Sequence, residues 1–211
     1  MKITRRYFSQ LLLATLIYSC LTQAKAMPEA NPFQGATDSQ TCAACHGPNG
    51  NTDVSAWPKL AGQHMSYLIK QLQDYQQGMN GPRPNEIMHG QSITLNKQQL
   101  IDISAYFAQQ ITDIGSMTPE DVARAEQLYR GGDIQKGIPA CMSCHGPSGQ
   151  GIGSAKIPKL SGQNPEYTYQ QLQAFKAGTR KNDPNDMMQD VAMKLSDEDM
   201  RILANYLFGL H

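Results

Sequence analysis

One short pattern, Cys-x-x-Cys-His, occurs twice in this chain, at Cys42–His46 and at Cys141–His145. A second pattern, Pro-Lys-Leu-x-Gly-Gln, also occurs twice, starting at residue 58 and at residue 158. At that same offset of 100 residues, further identities continue almost to the end of the chain: Tyr67 and Tyr167, Gly78 and Gly178, Met88 and Met188, Leu95 and Leu195, Tyr106 and Tyr206. A repeat of this length is the size of a small domain, so the sequence predicts two homologous domains rather than a solenoid.

The boundary between the two copies is expected near residue 115. We assign residues 27–114 to domain 1 and residues 115–211 to domain 2. Thr118 and Pro119 are typical of a helix start, and Gly131-Gly132 is typical of its end. The first domain differs at its own start, since its Pro and Gly residues at positions 28, 32 and 35 argue against a long helix there.

The rest of each copy predicts an all-α domain. Apolar periodicity predicts helices over about 64–77 and 97–109, with their counterparts over 165–177 and 197–207. Asn96 and Ser196 are suitable N-caps for the last helix of each copy. We expect each Cys-x-x-Cys-His motif to open a short helical turn, and each paired methionine to lie in an irregular loop.

The spacing within Cys-x-x-Cys-His suits covalent attachment of a c-type haem. Thiols three residues apart on a helical turn can add to the two vinyl groups on one edge of a porphyrin. The histidine that follows then offers a ring nitrogen to the iron. The motifs therefore predict attachment of two haems through Cys42 and Cys45, and through Cys141 and Cys144, with His46 and His145 as axial ligands.

Two other uses of paired cysteines are less consistent with the sequence, and a third stays open. A zinc site would need further Cys or His residues at matching spacings, and none follow. A redox dithiol would not need a histidine directly after the second cysteine in both copies. Structural disulfides within each motif remain the simplest alternative for an exported protein.

The repeat also selects candidates for the sixth iron ligand, because methionine is common at that position in c-type cytochromes. Met88 and Met188 share one register, whereas Met79, Met117, Met142 and Met193 have no methionine counterpart. Met187 matches Ile87, which favours a packing role for both. His89 could compete for the first iron, but its counterpart Gln189 could not ligate the second, so symmetry favours the methionines.

Other residues near the motifs are candidates for secondary roles. Pro58, Leu60, Pro158 and Leu160 are expected to pack on the haem faces. Lys59 and Lys159 could either pair with haem propionates or remain in solvent. Further candidate propionate donors are Tyr67, Tyr167, Trp57 and Arg180.

The first 26 residues have the layout of a cleavable signal peptide. Lys2, Arg5 and Arg6 precede the apolar segment 11–21, and Ala24-Lys25-Ala26 supplies a cleavage signature. We favour the general secretory route over the twin-arginine route, with lipidation at Cys20 or an uncleaved anchor as minor alternatives. Cleavage would leave 14 basic against 18 acidic residues, which argues against nucleic-acid binding.

Taken together, the motifs resemble the dihaem cytochrome c4 family over essentially the whole mature chain. The resemblance rests on both haem motifs, both Pro-Lys-Leu-x-Gly-Gln segments, the Tyr-x-x-x-Gln-Leu-Gln helices, residues 130–133 and the Gly-Leu-His ending. It implies two class I cytochrome c domains facing each other across a pseudo-twofold axis. It also implies His46/Met88 and His145/Met188 ligation of two covalently bound haem c groups.

The same resemblance implies an electron carrier rather than an enzyme. It implies a periplasmic location, with peripheral attachment to the inner membrane left open, and electron transfer from a quinol-oxidising bc complex to a terminal oxidase. Two alternatives remain: a cytochrome subunit of a larger oxidoreductase, such as a flavin-dependent sulfide dehydrogenase, and a small dihaem peroxidase.

Overall fold

The computed structural model describes residues 29–118 and 122–211. The predicted signal peptide and the predicted N1 proline, Pro119, lie outside these ranges. Within them the chain is helical, and its only extended pairings are two isolated bridges, Asp133 with Ile138 and Ile152 with Ile157. The prediction of an all-α fold is confirmed.

Within the described residues, domain 1 contains five helices. They are α1 Pro32–Asp38, α2 Gln40–His46, α3 Met65–Gln76, α4 Glu86–Ser92 and α5 Lys97–Ala108. At the start of α5, the Asn96 side chain accepts from the backbone N–H of Gln99, and the Gln99 side chain returns a bond to the Asn96 backbone. This reciprocal capping box satisfies two groups that would otherwise be unpaired.

Domain 2 repeats the plan with small differences. Its helices are α6 Val122–Gly131, α7 Met142–His145, α8 Pro165–Lys176, α9 Met187–Lys194 and α10 Asp197–Gly209. Short 3-10 turns occur at Gly153–Ala155 and Pro184–Asp186. Ser196, the predicted N-cap, forms a capping box with Asp199 at the start of α10. None of the helices in the described ranges is both long and apolar enough to cross a bilayer.

The start of domain 1 shows how a short helix forms where a long one is unfavourable. The Asn31 side chain accepts from the N–H groups of Phe33 and Gln34, and Pro32 takes the first helical position. Gly35 then packs against α5, where an added Cβ would lie only 1.9 Å from the carbonyl oxygen of Asp102. The chain turns at Ser39 and continues as α2, so the prediction that no long helix forms here is confirmed.

The expectation of irregular loops around the paired methionines is wrong. Met88 lies in α4 and Met188 lies in α9. Asn85 caps α4 by accepting from the N–H of Met88, and the carboxylate of Asp183 accepts from the N–H of Met188. Side-chain acceptors therefore start helices that the surrounding Pro and Gly residues obscure in the sequence.

The apolar cores of the two domains differ in size. Domain 2 has a continuous buried cluster of thirteen residues, centred on Leu128, Tyr129, Leu203 and Leu207. In domain 1 the corresponding cluster of buried residues consists of Leu68, Ile103 and Phe107. Domain 1 therefore has the smaller apolar core to stabilise its fold.

Candidate functional site

The two Cys-x-x-Cys-His motifs lie on equivalent helices but at different depths in them. In domain 2, Cys141 is the N-cap of α7 and His145 is its last residue, as predicted. In domain 1, α2 begins at Gln40, so the prediction that the motif opens the helix is wrong there. Both helices end at a glycine with positive φ, Gly47 at +79° and Gly146 at +80°, so the two histidines leave their helices in the same way.

The four motif thiols are free, and burial makes the first thiol of each pair harder to ionise. Burial raises the pKa of the Cys42 thiol, and burial raises the pKa of Cys141 to about 11. A redox dithiol needs a nucleophile whose thiolate is stabilised, which means a lowered pKa. The environment of these cysteines therefore argues against thiol–disulfide exchange.

Each motif histidine is buried and held by one backbone carbonyl. His46 Nδ1 lies 2.9 Å from the oxygen of Pro58, and His145 Nδ1 lies 3.1 Å from the oxygen of Pro158. A carbonyl can only accept, so Nδ1 carries the proton and Nε2 keeps its lone pair. Burial also lowers the pKa of both histidines, which favours the neutral ring that a metal requires.

The proline carbonyls give the Pro-Lys-Leu-x-Gly-Gln motif a role that the sequence analysis did not identify. Pro58 and Pro158 were expected to pack on haem faces, and their carbonyls also orient the histidines. No group of three or more His, Cys, Asp or Glu side chains within residues 29–118 and 122–211 is arranged to hold a bare metal ion.

The predicted methionine ligands differ from other methionines in their exposure to solvent. Met88 and Met188 are both half-buried, in equivalent helices. Met79 and Met193 are 57% and 61% exposed, as expected for residues that ligate nothing. The predicted packing role of Met187 is wrong, because its side chain and that of its counterpart Ile87 are 48% and 71% exposed.

His89 lies beside Met88 but turns toward the end of α3. Its Nδ1 is 3.0 Å from the carbonyl oxygen of Tyr75. A Cβ placed on Gly78 would lie 3.4 Å from its ring. The counterpart Gln189 instead bonds to Asp183 and Asp186. The histidine is thus anchored in an arrangement without an equivalent in domain 2, which agrees with the preference for Met88 over His89.

Two buried arginines meet at the domain interface, and sequence reasoning identified only one of them. Arg83 and Arg180 are 5% and 7% exposed. Arg83 stacks on Tyr75 with 4.5 Å between guanidinium and ring, and Arg180 stacks on Phe175, the counterpart of Tyr75, at 4.4 Å. Arg83 was missed because the two arginines are not at matching sequence positions, although they occupy matching places in the fold.

Each arginine reaches across to the other domain. Arg83 donates to the hydroxyl of Tyr167 at 2.7 Å, and Arg180 donates to the hydroxyl of Tyr67 at 2.9 Å. Burial alone would raise the pKa of Tyr67, but the charges of Arg180 and Arg83 outweigh it and lower that pKa. Among the described residues, no carboxylate forms an ion pair with either guanidinium. Two buried cations without a counter-ion favour binding of an anion at this place.

The two interdomain lysines contact protein groups, which contradicts the expectation that they remain in solvent. Lys59 is buried, donates to the carbonyl of Asp113 and lies 5.0 Å from the Phe208 ring centre. Lys159 donates to the Thr112 hydroxyl at 2.6 Å. Both lysines therefore bind the segment that connects the domains, rather than remaining in solvent. Trp57 is 40% exposed and contacts domain 2 through its carbonyl.

Comparison with known proteins identifies the family of this chain. The family described as Cytochrome c matches the chain twice, over residues 34–110 and 122–210. Cytochrome c4 from Thiocapsa roseopersicina is 44% identical over 190 residues, which is 89% of this chain and 97% of that protein. The chain belongs to the cytochrome c4 family. As a cytochrome c4, it is a dihaem electron carrier with two covalently bound haem c groups.

Solved structures show the same fold. The crystal structure of reduced recombinant cytochrome c4 from Pseudomonas stutzeri is 40% identical, with a TM-score of 0.84, and covers 87% of this chain and all of that one. A more distant relative is named as the thiosulfate dehydrogenase electron acceptor of Stutzerimonas stutzeri, 34% identical over 92% of this chain and 90% of that protein. The two-domain architecture of cytochrome c4 is therefore shared along the whole described chain.

The side chains of this cytochrome c4 fit two haems. Each domain offers two thiols, a neutral imidazole with a free Nε2 and a half-buried thioether. Between the domains, Arg83 and Arg180 line a small cleft of about 80 Å³. Guanidinium groups without a carboxylate partner are suitable donors to carboxylates such as propionates.

Proposed function

We propose that this cytochrome relays single electrons in the periplasm from a quinol-oxidising bc complex to a terminal oxidase. In this proposal Cys42, Cys45, Cys141 and Cys144 attach the haems, and His46 with Met88 and His145 with Met188 ligate the irons. Each bound haem supplies one reversible one-electron centre. Signal cleavage after Ala26, and domains at 27–114 and 115–211, are parts of the same proposal.

The observation that carries the proposal is the matched ligand set of the two halves. Both histidines are oriented by a proline carbonyl, and both domains place a half-buried methionine in the same register. With a histidine and a methionine available to each iron, neither iron would keep an open coordination position for a substrate such as peroxide. A relay needs no such position, so the ligand set favours it over a peroxidase.

Arg83 and Arg180 are proposed to hold haem propionates, with Tyr67 and Tyr167 fixing the two guanidiniums. Arg83 stacks on Tyr75 and Arg180 stacks on Phe175, and this stacking restricts the conformations of both long side chains. The hydrogen bonds to tyrosines of the opposite domain hold the cations at the interface. These residues would thereby hold the propionates of both haems at the shared boundary of the domains.

A direct test of the relay uses purified holoprotein and inner-membrane vesicles. Quinol should reduce the protein only when the bc complex is active, and oxidase in the same vesicles should reoxidise it. The matched control adds a bc-complex inhibitor, which should abolish reduction while leaving reoxidation intact. Unchanged reduction with the inhibitor present would contradict the proposed donor.

A second candidate role is favoured by the relative named as a thiosulfate dehydrogenase electron acceptor. In that role, a sulfur-compound dehydrogenase would replace the bc complex as donor. Rapid reduction by such an enzyme, or co-purification of a flavoprotein subunit at fixed stoichiometry, would favour a partner in sulfur oxidation or a subunit of a larger oxidoreductase.

Replacing Arg83 or Arg180 with methionine should lower the midpoint potential of at least one haem. A nearby guanidinium disfavours the extra positive charge of the ferric state, so its removal stabilises oxidised iron. The effect expected for a charge held near the cofactor is on the order of 1 kcal/mol. Spectroelectrochemical titration of each variant measures it.

Arg201 provides the matched control for the arginine variants. It stacks on Tyr169 with 4.0 Å between guanidinium and ring, but its side chain is 57% exposed and pairs with Asp197. Arg201→Met should leave both potentials unchanged, because an exposed pair is screened by solvent. Equal shifts in all three variants would contradict a propionate-binding role for the buried pair.

A further inference from the structure

Two glutamines bind the opposite domain in a reciprocal arrangement. Gln163 of domain 2 accepts from the backbone N–H of Lys59 at 2.8 Å and donates to its carbonyl at 2.9 Å. Gln63 of domain 1 accepts from the N–H of Lys159 at 2.9 Å and donates to its carbonyl at 2.9 Å. Both glutamines are buried, with Gln63 at 6% and Gln163 at 9% exposure. Each amide thus satisfies both backbone groups of one residue in the other domain.

The peptide group that each glutamine binds is the one that orients a motif histidine. The N–H of Lys59 and the carbonyl of Pro58 belong to a single planar peptide. Its N–H donates to Gln163, and its carbonyl accepts from His46 Nδ1. The same relation joins Gln63, the Pro158–Lys159 peptide and His145. A continuous chain of two hydrogen bonds therefore runs from each glutamine to the histidine of the opposite domain.

We propose that Gln163 and Gln63 are positioning residues that tune the iron ligand of the opposite domain. The inference rests on the proposed axial role of His46 and His145. Hydrogen bonds in series polarise one another, so a peptide whose N–H is bound has a more negative carbonyl oxygen. That oxygen pulls the Nδ1 proton more strongly and makes the imidazole a stronger donor to iron. A stronger donor favours ferric iron and lowers the potential.

Each domain then influences the haem of the other domain through its glutamine. Gln163 belongs to domain 2 but acts on the haem of domain 1, and Gln63 does the reverse. The glutamine adds one hydrogen bond to the series, and its polarising effect on the next bond is a minor fraction of a hydrogen-bond energy. We therefore expect its loss to change the equilibrium constant for reduction of the haem by about twofold. At ~59 mV per tenfold for one electron, this is about 18 mV.

The test replaces each glutamine with methionine, which has similar volume but neither polar group. Gln163→Met should raise the potential of the first haem alone, and Gln63→Met that of the second haem alone. Spectroelectrochemical titration followed by NMR of the iron-bound methionine methyl groups assigns each shift, with Met88 and Met188 variants identifying the signals. Gln163→Glu retains an oxygen acceptor for the Lys59 N–H and should restore the first potential to the parent value or below it.

Ser66→Ala is the matched control, because it removes a hydrogen bond across the interface, from Ser66 to the Gly153 carbonyl, without touching either Pro–Lys peptide. It should leave both potentials unchanged. Three outcomes for the glutamine variants would overturn the inference, provided that the holoprotein keeps two low-spin His/Met haems. The potential could shift only for the haem in the substituted residue's own domain, shift equally for both haems, or shift for neither. If the unsubstituted protein itself showed no low-spin His/Met haem, the proposed ligation would be wrong instead.

Discussion

Replacing Met88 or Met188 with alanine should remove about half of the methionine-to-iron charge-transfer band of the ferric protein. Each methionine is proposed to ligate one of two irons, so each single variant loses one of two contributions. The double variant should lose the band entirely. Near-infrared absorption of the oxidised protein, with haem content measured by mass, provides the readout.

The same variants should change the chemistry of the altered haem. Methionine ligation raises the potential relative to nitrogen ligands, so its loss should lower the potential of that haem. An emptied sixth position also admits water, so a high-spin ferric signal and slow peroxide turnover are expected. These effects belong to one haem at a time, and the other should titrate as in the parent.

Met79→Ala and Met193→Ala are the matched controls, since both side chains are more than half exposed. They should leave the band at full intensity. A full band in both the Met88 and Met188 variants would refute the ligand assignment. If Met88→Ala alone kept it, His89 would be the next residue to replace.

The sequence repeat was sufficient for the features that each domain carries by itself. Thr41–Pro48 and its counterpart indicate the haem motifs, and the capping residues Asn96 and Ser196 locate the last helices. Such features depend on residues close together in the chain, where spacing reflects geometry directly. The helical period was equally informative for α3 and α8, whose bounds agree with the predictions within a residue or two.

Contacts between the domains were harder to predict because spacing carries no information about them. Arg83 aligns with Asp183 and Arg180 aligns with Asn80, so the repeat gives no reason to pair the arginines. Only the folded chain shows that loops of different register bring both guanidiniums onto matching aromatic rings. The glutamines were visible in a repeated motif, but their partners lie 96 and 104 residues away.

Removing the haem attachment sites should affect the two domains unequally. Cys42→Ser with Cys45→Ser should reduce the mass by one haem and abolish cooperative unfolding of domain 1. Cys141→Ser with Cys144→Ser should also cost one haem, but domain 2 should keep most of its helical signal. The reason is the difference in protein core, since among the described residues seven buried apolar residues lie in domain 1 and fifteen lie in domain 2. Mass measurement and thermal melts followed by far-ultraviolet circular dichroism test both pairs.

The size of the asymmetry follows from what a buried side chain contributes. Burial of one large aliphatic or aromatic side chain stabilises a fold by roughly 1.5–3 kcal/mol, and a small domain is stable by only a few such contributions. The smaller apolar core of domain 1 cannot offset the chain entropy of that domain without its cofactor, whereas the larger core of domain 2 can retain a partly folded state. Leu203→Ala in the Cys141/Cys144 double variant should therefore abolish the remaining domain 2 transition. Equal loss of helical signal from both cysteine double variants would show that the haem, and not the apolar cluster, decides the stability of domain 2.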